Sequence, residues 1–304
     1  MTHMHPFRNI LILSLLLGAS ACTSSVQPTP TGIPSTPTAA IPSPTPLPTI
    51  VPTATPLTCL TQPGRVESGS IDTTRPPQEF LIYLPPCYDA QVTERYPVLY
   101  LLHGQLQTDD FWVVHLGAPA IADRLIHSGA AQPFIMVFPD DRYWNQPAAS
   151  GFGDRVIDLV IPLIDLKYRT LTDRGHRAVG GLSLGGGWAI HLGLTRYDLF
   201  GTIGLHSPAI QPEDEPYLEH WIKAVPPDSW PRFWIDAGDA DKDLGSITSF
   251  ESLLTSYDLT HDWHLFTGDH SETYWRAHTP RYLQWYADGW NVQAGAAPDP
   301  TPGP

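Results

Sequence analysis

The chain has 304 residues, and 31 Asp and Glu against 17 Lys and Arg give it a formal net charge of −14. That excess of negative charge excludes nucleic acid and anionic membrane surfaces as electrostatic partners and leaves neutral substrates open. Its 33 Pro are crowded toward the N-terminus, so the length divides into parts of different character.

Residues 1–22 read as a bacterial export signal. His3, His5 and Arg8 make a weakly basic start, Ile10 to Leu17 an apolar core, and Ala19-Ser20-Ala21 a small-residue cleavage site. The apolar run is too short to span a bilayer comfortably. Cys22 follows the cleavage site directly, as the lipidated cysteine of a bacterial lipoprotein does. The expectation is an exported protein, lipid-anchored at the cell surface or envelope, with secretion after ordinary cleavage as the alternative.

No Asp, Glu, Lys or Arg occurs between Arg8 and Arg65. Residues 23–58 are rich in Pro and Thr, lack the apolar mass for a core, and are expected to be a disordered, polyproline-like linker. Residues 291–304 are expected to be a disordered tail. The interval 59–290 suits one catalytic domain with a single large core. Apart from Cys22 its only cysteines are Cys59 and Cys87, and an exported chain with that pair is expected to carry a disulfide.

Arg65 to Ile71 and Glu79 to Leu84 read as edge strands, and Tyr96 to His103 as a strand buried on both faces. An acidic loop with Asp109, Asp110, Phe111 and Trp112 leads to a helix from Pro119 to His127. Pro133 to Pro139 is the next buried strand, running into a loop with Tyr143 and Trp144. Val156, Val160, Leu163, Ile164 and Tyr168 mark one face of a helix over Asp154 to Tyr168. Beyond it the strands fall at Arg177–Leu182, Phe200–Leu205, Arg232–Ala237 and Asp262–Phe266. Helices are expected over Gly185–Thr195, Tyr217–Ala224, Ser246–Tyr257 and Tyr274–Ala287. Such alternation gives an α/β fold: a mostly parallel, twisted sheet with helices on both faces and ligands at the carboxyl ends of the strands.

Gly181-Leu182-Ser183-Leu184-Gly185 stands at one of those strand ends. This is the G-x-S-x-G pattern of a nucleophile elbow, in which the glycines permit a turn sharp enough to lift the serine hydroxyl above the sheet. A serine needs a base, and the base needs an acid to hold its tautomer. Downstream, one strand ends in Asp236 to Asp243 and the next in Asp269-His270, giving the order Ser, Asp, His on one edge. His270 alone lies in a loop just after the last strand and is the expected base, with His206 second. Asp239, Asp241 and Asp243 all compete for the acid, with Asp241 preferred. The backbone N–H groups of Leu184 and Gln105 are the expected oxyanion donors, and His103 an orienting side chain.

Leu101-Leu102-His103-Gly104, Ile161-Pro162 with Tyr168-Arg169-Thr170, the elbow, Gly238 to Asp241, and His270 to Trp275 together resemble the esterase D-like esterases. That family includes feruloyl esterases, S-formylglutathione hydrolases, enterochelin esterases and mycolyltransferase antigens. The likeness covers about residues 65 to 288. It implies an α/β-hydrolase fold, Ser183 as nucleophile, His270 as base, Asp241 as acid, and Gln105 and Leu184 as oxyanion donors, with neither cofactor nor metal. The expected function is an exported serine carboxylic-ester hydrolase acting on feruloyl or acetyl esters of polysaccharide. An acyltransferase, a siderophore esterase and a non-catalytic surface binding protein are the alternatives. Trp112, Tyr143, Trp144 and His206 are the expected pocket residues.

Overall fold

Strands buried on both faces must be apolar almost without interruption. The sequences Val98–Leu102 and Ile135–Pro139 meet that demand, and Thr202–Pro208 is buried just as completely while carrying Thr202, His206 and Ser207. In a computed structural model, which describes residues 58–141 and 151–295, they lie inside one eight-stranded sheet. The strands are β1 (Arg65–Ile71), β2 (Gln78–Leu84), β3 (Val98–Leu102), β4 (Ile135–Pro139), β5 (Arg177–Ser183), β6 (Thr202–Pro208), β7 (Arg232–Gly238) and β8 (Asp262–Phe266). Their order is β1-β2-β4-β3-β5-β6-β7-β8. The β1/β2 and β2/β4 pairs are antiparallel and the remaining five are parallel. The expected signal, Cys22, Tyr143 and Trp144 lie outside the described residues.

Among the described residues seven α-helices accompany these strands: α1 (Ala118–His127), α2 (Phe152–Arg155), α3 (Ile161–Lys167), α4 (Leu184–Thr195), α5 (Leu218–Ala224), α6 (Leu244–Ser256) and α7 (Glu272–Gly295). Because alternate strand residues face opposite ways, the sheet separates two cores. Val98, Tyr100 and Leu102 join Ile164 of α3, Ile190 of α4 and Phe250 of α6 on one side. Leu99 and Leu101 join Ile121 of α1 and Leu283 and Tyr286 of α7 on the other.

Chain direction across the sheet reverses at β3, which has β4 on one side and β5 on the other. In open α/β sheets ligands bind at such a switch point, outside the carboxyl ends of the strands. Ser183 is the last residue of β5 and stands at that place.

Three departures from the sequence reading have local causes. The expected loop at Phe111 is a π-helical turn, Phe111–His115. The expected continuous helix before Tyr168 passes through a π-helical segment, Val156–Val160. Pro162, the second residue of α3, has no N–H to offer the preceding turn, so the helix widens there. Tyr96 stands outside β3 and bridges Thr170 instead, because Pro97 between it and Val98 cannot donate to a ladder. Cys59 and Cys87 form a disulfide with Cα atoms 5.1 Å apart, tying the start of the described chain to the turn after β2.

Candidate active site

At the end of β5 the backbone turns so sharply that side chains are excluded on either side of the serine. A Cβ at Gly181 would lie 2.3 Å from the Gly185 carbonyl oxygen, and one at Gly185 2.2 Å from the Leu102 carbonyl oxygen. Ser183 itself is held at φ 52° and ψ −123°, a conformation that L-residues rarely adopt. Strain of this kind persists where surrounding structure over-determines it, and here it lifts the hydroxyl off the strand end into partial exposure.

The loop after β3 runs against the elbow. A Cβ at Gly104 would come within 3.2 Å of the Ser183 Cβ. The Gln105 side chain is exposed, so the role expected of this residue rests on its backbone N–H. Two contacts fix the loop. The Gly104 N–H donates to Gln107 Oε1 at 2.8 Å. Buried His103 accepts from the Asp141 N–H on Nε2 at 2.8 Å, which leaves Nδ1–H to donate to the Gly104 carbonyl, also at 2.8 Å. His103 therefore orients the loop.

From the far side, the loop after β8 brings His270 Nε2 to 2.8 Å from Ser183 Oγ. The opposite ring nitrogen, Nδ1, lies 3.0 and 3.2 Å from the two carboxylate oxygens of Asp241. The ring packs edge-on against Trp275, with centroids 5.0 Å apart. Asp241 Oδ1 also accepts the Asp243 N–H at 2.8 Å, and Oδ2 accepts the hydroxyl of Ser207. Burial by itself pushes the Asp241 carboxyl up. Hydrogen bonds from His270, Ser207 and the Asp243 N–H outweigh that and hold it below its ordinary value.

Of the three competing aspartates, Asp241 is the one with both oxygens on the histidine. Asp239 accepts the Gly268 N–H at 3.0 Å, and Asp243 pairs with Lys242 at 2.6 Å. Among the described residues, the one group of acidic and histidine side chains close enough to share a cation is Asp241, Asp243 and His270. Its histidine nitrogen is already within hydrogen-bond distance of Asp241, so the cluster is better suited to proton transfer.

Two expected pocket residues are corrected. Trp112 is fully buried, its indole N–H donating to the Leu102 carbonyl at 3.1 Å beneath the loop that carries Gln105. His206 is also fully buried, with Nδ1 3.0 Å from Asp236 Oδ1 and Nε2 3.0 Å from the Tyr286 hydroxyl. Burial depresses its pKa against the pull of Asp236, so it sits neutral in the core. The sequence marked both as ring-bearing residues near strand ends, but strand-end position does not say which way a side chain turns.

An open cleft of about 290 Å³ lies beside α4 and is lined by Trp188, His191, Gln211 and Asp214, among others. Asp214 holds His191 Nδ1 at 3.0 Å, and Trp188 donates to Asp141 at 3.0 Å. The segment leading to Gln211 starts at the elbow, where the Ala209 N–H donates to the Ser183 carbonyl at 2.8 Å. Aromatic and acidic lining is thus present, but on residues other than those expected. Their signal was i, i+3 spacing of Trp188 and His191 on a helix, which also fits plain core packing. Ser207 was missed too, since β6 was expected to end before it.

An elbow serine with a histidine and an aspartate aligned behind it, on the carboxyl edge of a mostly parallel sheet, defines an α/β-hydrolase. Residues 72–286 match the family named Esterase ("Putative esterase"), and the chain belongs to that family. It is 34% identical over 182 residues to an endo-1,4-beta-xylanase/feruloyl esterase of Xylanibacter ruminicola, covering 57% of this chain and 24% of that one. It is 32% identical over 136 residues to an esterase of Mycobacterium tuberculosis, covering 41% and 28%. The chain thus spans about a quarter of the length of these curated relatives. Among solved structures, a ferulic acid esterase superposes with a TM-score of 0.67 at 23% identity, covering 75% of this chain and 98% of the other. A ferulic acid esterase from Anaeromyces mucronatus, in complex with ferulic acid, gives 0.63 at 23% identity, covering 76% and 93%. These superpositions show the fold.

Proposed function

We propose that the protein is a serine carboxylic-ester hydrolase that works through an acyl-enzyme. The observation that carries this reading is the unbroken line from Ser183 Oγ to His270 Nε2 at 2.8 Å and from His270 Nδ1 to Asp241 at 3.0 Å. Ser183 Oγ attacks the ester carbonyl while His270 Nε2 takes its proton, and Asp241 stabilises the imidazolium that results. The N–H groups of Leu184 and Gln105 receive the developing oxyanion, where one donor is worth about 3–4 kcal/mol of transition-state stabilisation. His270 then returns the proton to the leaving alcohol. Water, deprotonated by the same nitrogen, releases the acid.

The acyl group is proposed to be feruloyl or acetyl and the alcohol a polysaccharide hydroxyl. The names of the curated relatives support this. Ser183→Ala should abolish hydrolysis of p-nitrophenyl acetate and methyl ferulate while the circular dichroism spectrum is unchanged. Retained turnover would remove Ser183 from the mechanism.

Placement of the protein is a separate proposal, supported by residues 1–58 alone: export, lipidation of Cys22, and a linker over 23–58 that holds the domain of 59–290 away from the membrane. Cys22→Ser should move the protein from the membrane fraction to the soluble one. Equal partitioning of both forms would contradict the anchor.

A further inference from the structure

In the pairing of β5 with β6, Leu182 faces His206 and the next residue, Ser183, faces Pro208. One step on β5 thus spans two on β6, and the residue left over is Ser207. This is a β-bulge, a device that re-aims a side chain beside a functional site. Ser207 has φ +54°, in the left-handed region that favours glycine, although it is not a glycine. Its side chain is fully buried. Strain in a buried, bulged serine needs something to hold it, and its hydroxyl supplies the reason. Oγ donates to Asp241 Oδ2 and lies 3.2 Å from His270 Nδ1.

We infer that Ser207 is a positioning residue of the catalytic apparatus, turning the Asp241 carboxylate so that Oδ1 meets the His270 N–H. Resting on the triad reading above, the inference adds a fourth member to it. A carboxylate hanging from one Cβ–Cγ bond can rotate, and a single hydrogen bond to a histidine does not stop it. Three donors fix it here: the Ser207 hydroxyl on Oδ2, and the Asp243 N–H and His270 N–H on Oδ1. Asp243 is backbone and Ser207 is the sole hydroxyl among them. Ser207 does not reach substrate, because it is sealed from solvent and its proton is committed to Asp241. It acts through Asp241 on the orientation of His270, and hence on the alignment of Nε2 with Ser183.

The discriminating variant is Ser207→Gly. Glycine accepts φ +54° freely, so the change removes the hydroxyl while relieving the backbone. The expected result is a Tm within about 3 °C of wild type. Alongside it, kcat on p-nitrophenyl acetate should fall about 10- to 100-fold with KM within a factor of about two, as misalignment of a reacting group does. Ser207→Ala should lose a similar factor in kcat and more in Tm. In an Asp241→Asn background, Ser207→Gly should change kcat by less than about two-fold, because residues acting as one unit are not additive. Three results would each overturn the inference: unchanged kcat in Ser207→Gly, loss of activity that follows loss of fold in both variants, or a full additional loss in the Asp241→Asn background. Activity retained by Ser183→Ala would instead refute the triad reading.

Discussion

Two histidine–aspartate pairs leave the same sheet edge, with their aspartates five residues apart around the end of β7. In one, His270 Nδ1 lies 3.0 Å from Asp241; in the other, His206 Nδ1 lies 3.0 Å from Asp236. The bonds are alike and the surroundings opposite. Asp236 is fully buried and takes hydrogen bonds from Trp234 Nε1 at 2.7 Å, Tyr274 OH at 2.7 Å and Tyr282 OH at 2.9 Å as well. The far nitrogen of His206 is closed off by Tyr286, whereas that of His270 faces the partly exposed hydroxyl of Ser183. A histidine–aspartate pair is therefore not itself a catalytic sign. What sets the His270 pair apart is a serine hydroxyl on the open nitrogen, and solvent within reach of it.

The widest separation of the two pairs should come from amide substitution at Asp241. Asp241→Asn should lower kcat by about 10⁴-fold, as a histidine in the wrong tautomer does, while thermal unfolding changes little. Asp236→Ala should do the reverse. It strands a buried histidine, two phenols and an indole N–H, so stability should fall by about 3–5 kcal/mol and activity should follow only the folded fraction. Chemical denaturation alongside kcat separates the two outcomes; equal effects of both variants on both quantities would erase the contrast.

A smaller effect, outside both pairs, is expected of the disulfide. Replacing Cys59 and Cys87 by Ser reopens a link across 28 residues and should remove about 2–4 kcal/mol of stability with kcat intact. The smallest effect concerns pH. The Asp241 carboxyl is held low, so its stabilisation is present above the unfolded value of about 3.9 and is lost as pH falls through the lower folded value. Asp109, in the stretch that follows β3, behaves oppositely: burial and then the nearby charges of Asp140 and Asp110 push it up to about 6. Its contribution to stability therefore declines as pH rises from the unfolded value through that one. Asp109 is partly exposed, so solvent screens much of this effect. Asp109→Asn should raise Tm by about 1–2 °C at pH 7.5 and leave it unchanged at pH 3.5. A gain of equal size at both pH values would assign the effect to packing.

The sheet was legible because its inner strands β3 and β4 are apolar throughout, and β1 and β8 fall on the residues expected of them. Ser183, Asp241 and His270 were legible as positions because each follows a strand in the required order. The π-helical segments were not, since a one-residue widening does not alter which residues are apolar. Nor was the inward turn of His206 or the bulge at Ser207. Both depend on the register of β6 against β5, and a one-residue shift exchanges the two faces of a strand without changing its composition. Trp112 shows the same limit: its ring closes the floor under the loop that a sequence reading lets it line.

Covalent labelling tests the account most directly. Wild-type protein treated with a fluorophosphonate and digested should carry one adduct, on the peptide containing Ser183, and His270→Ala should label far more slowly. An adduct on any other serine, or full esterase activity after Ser183 is blocked, would contradict it.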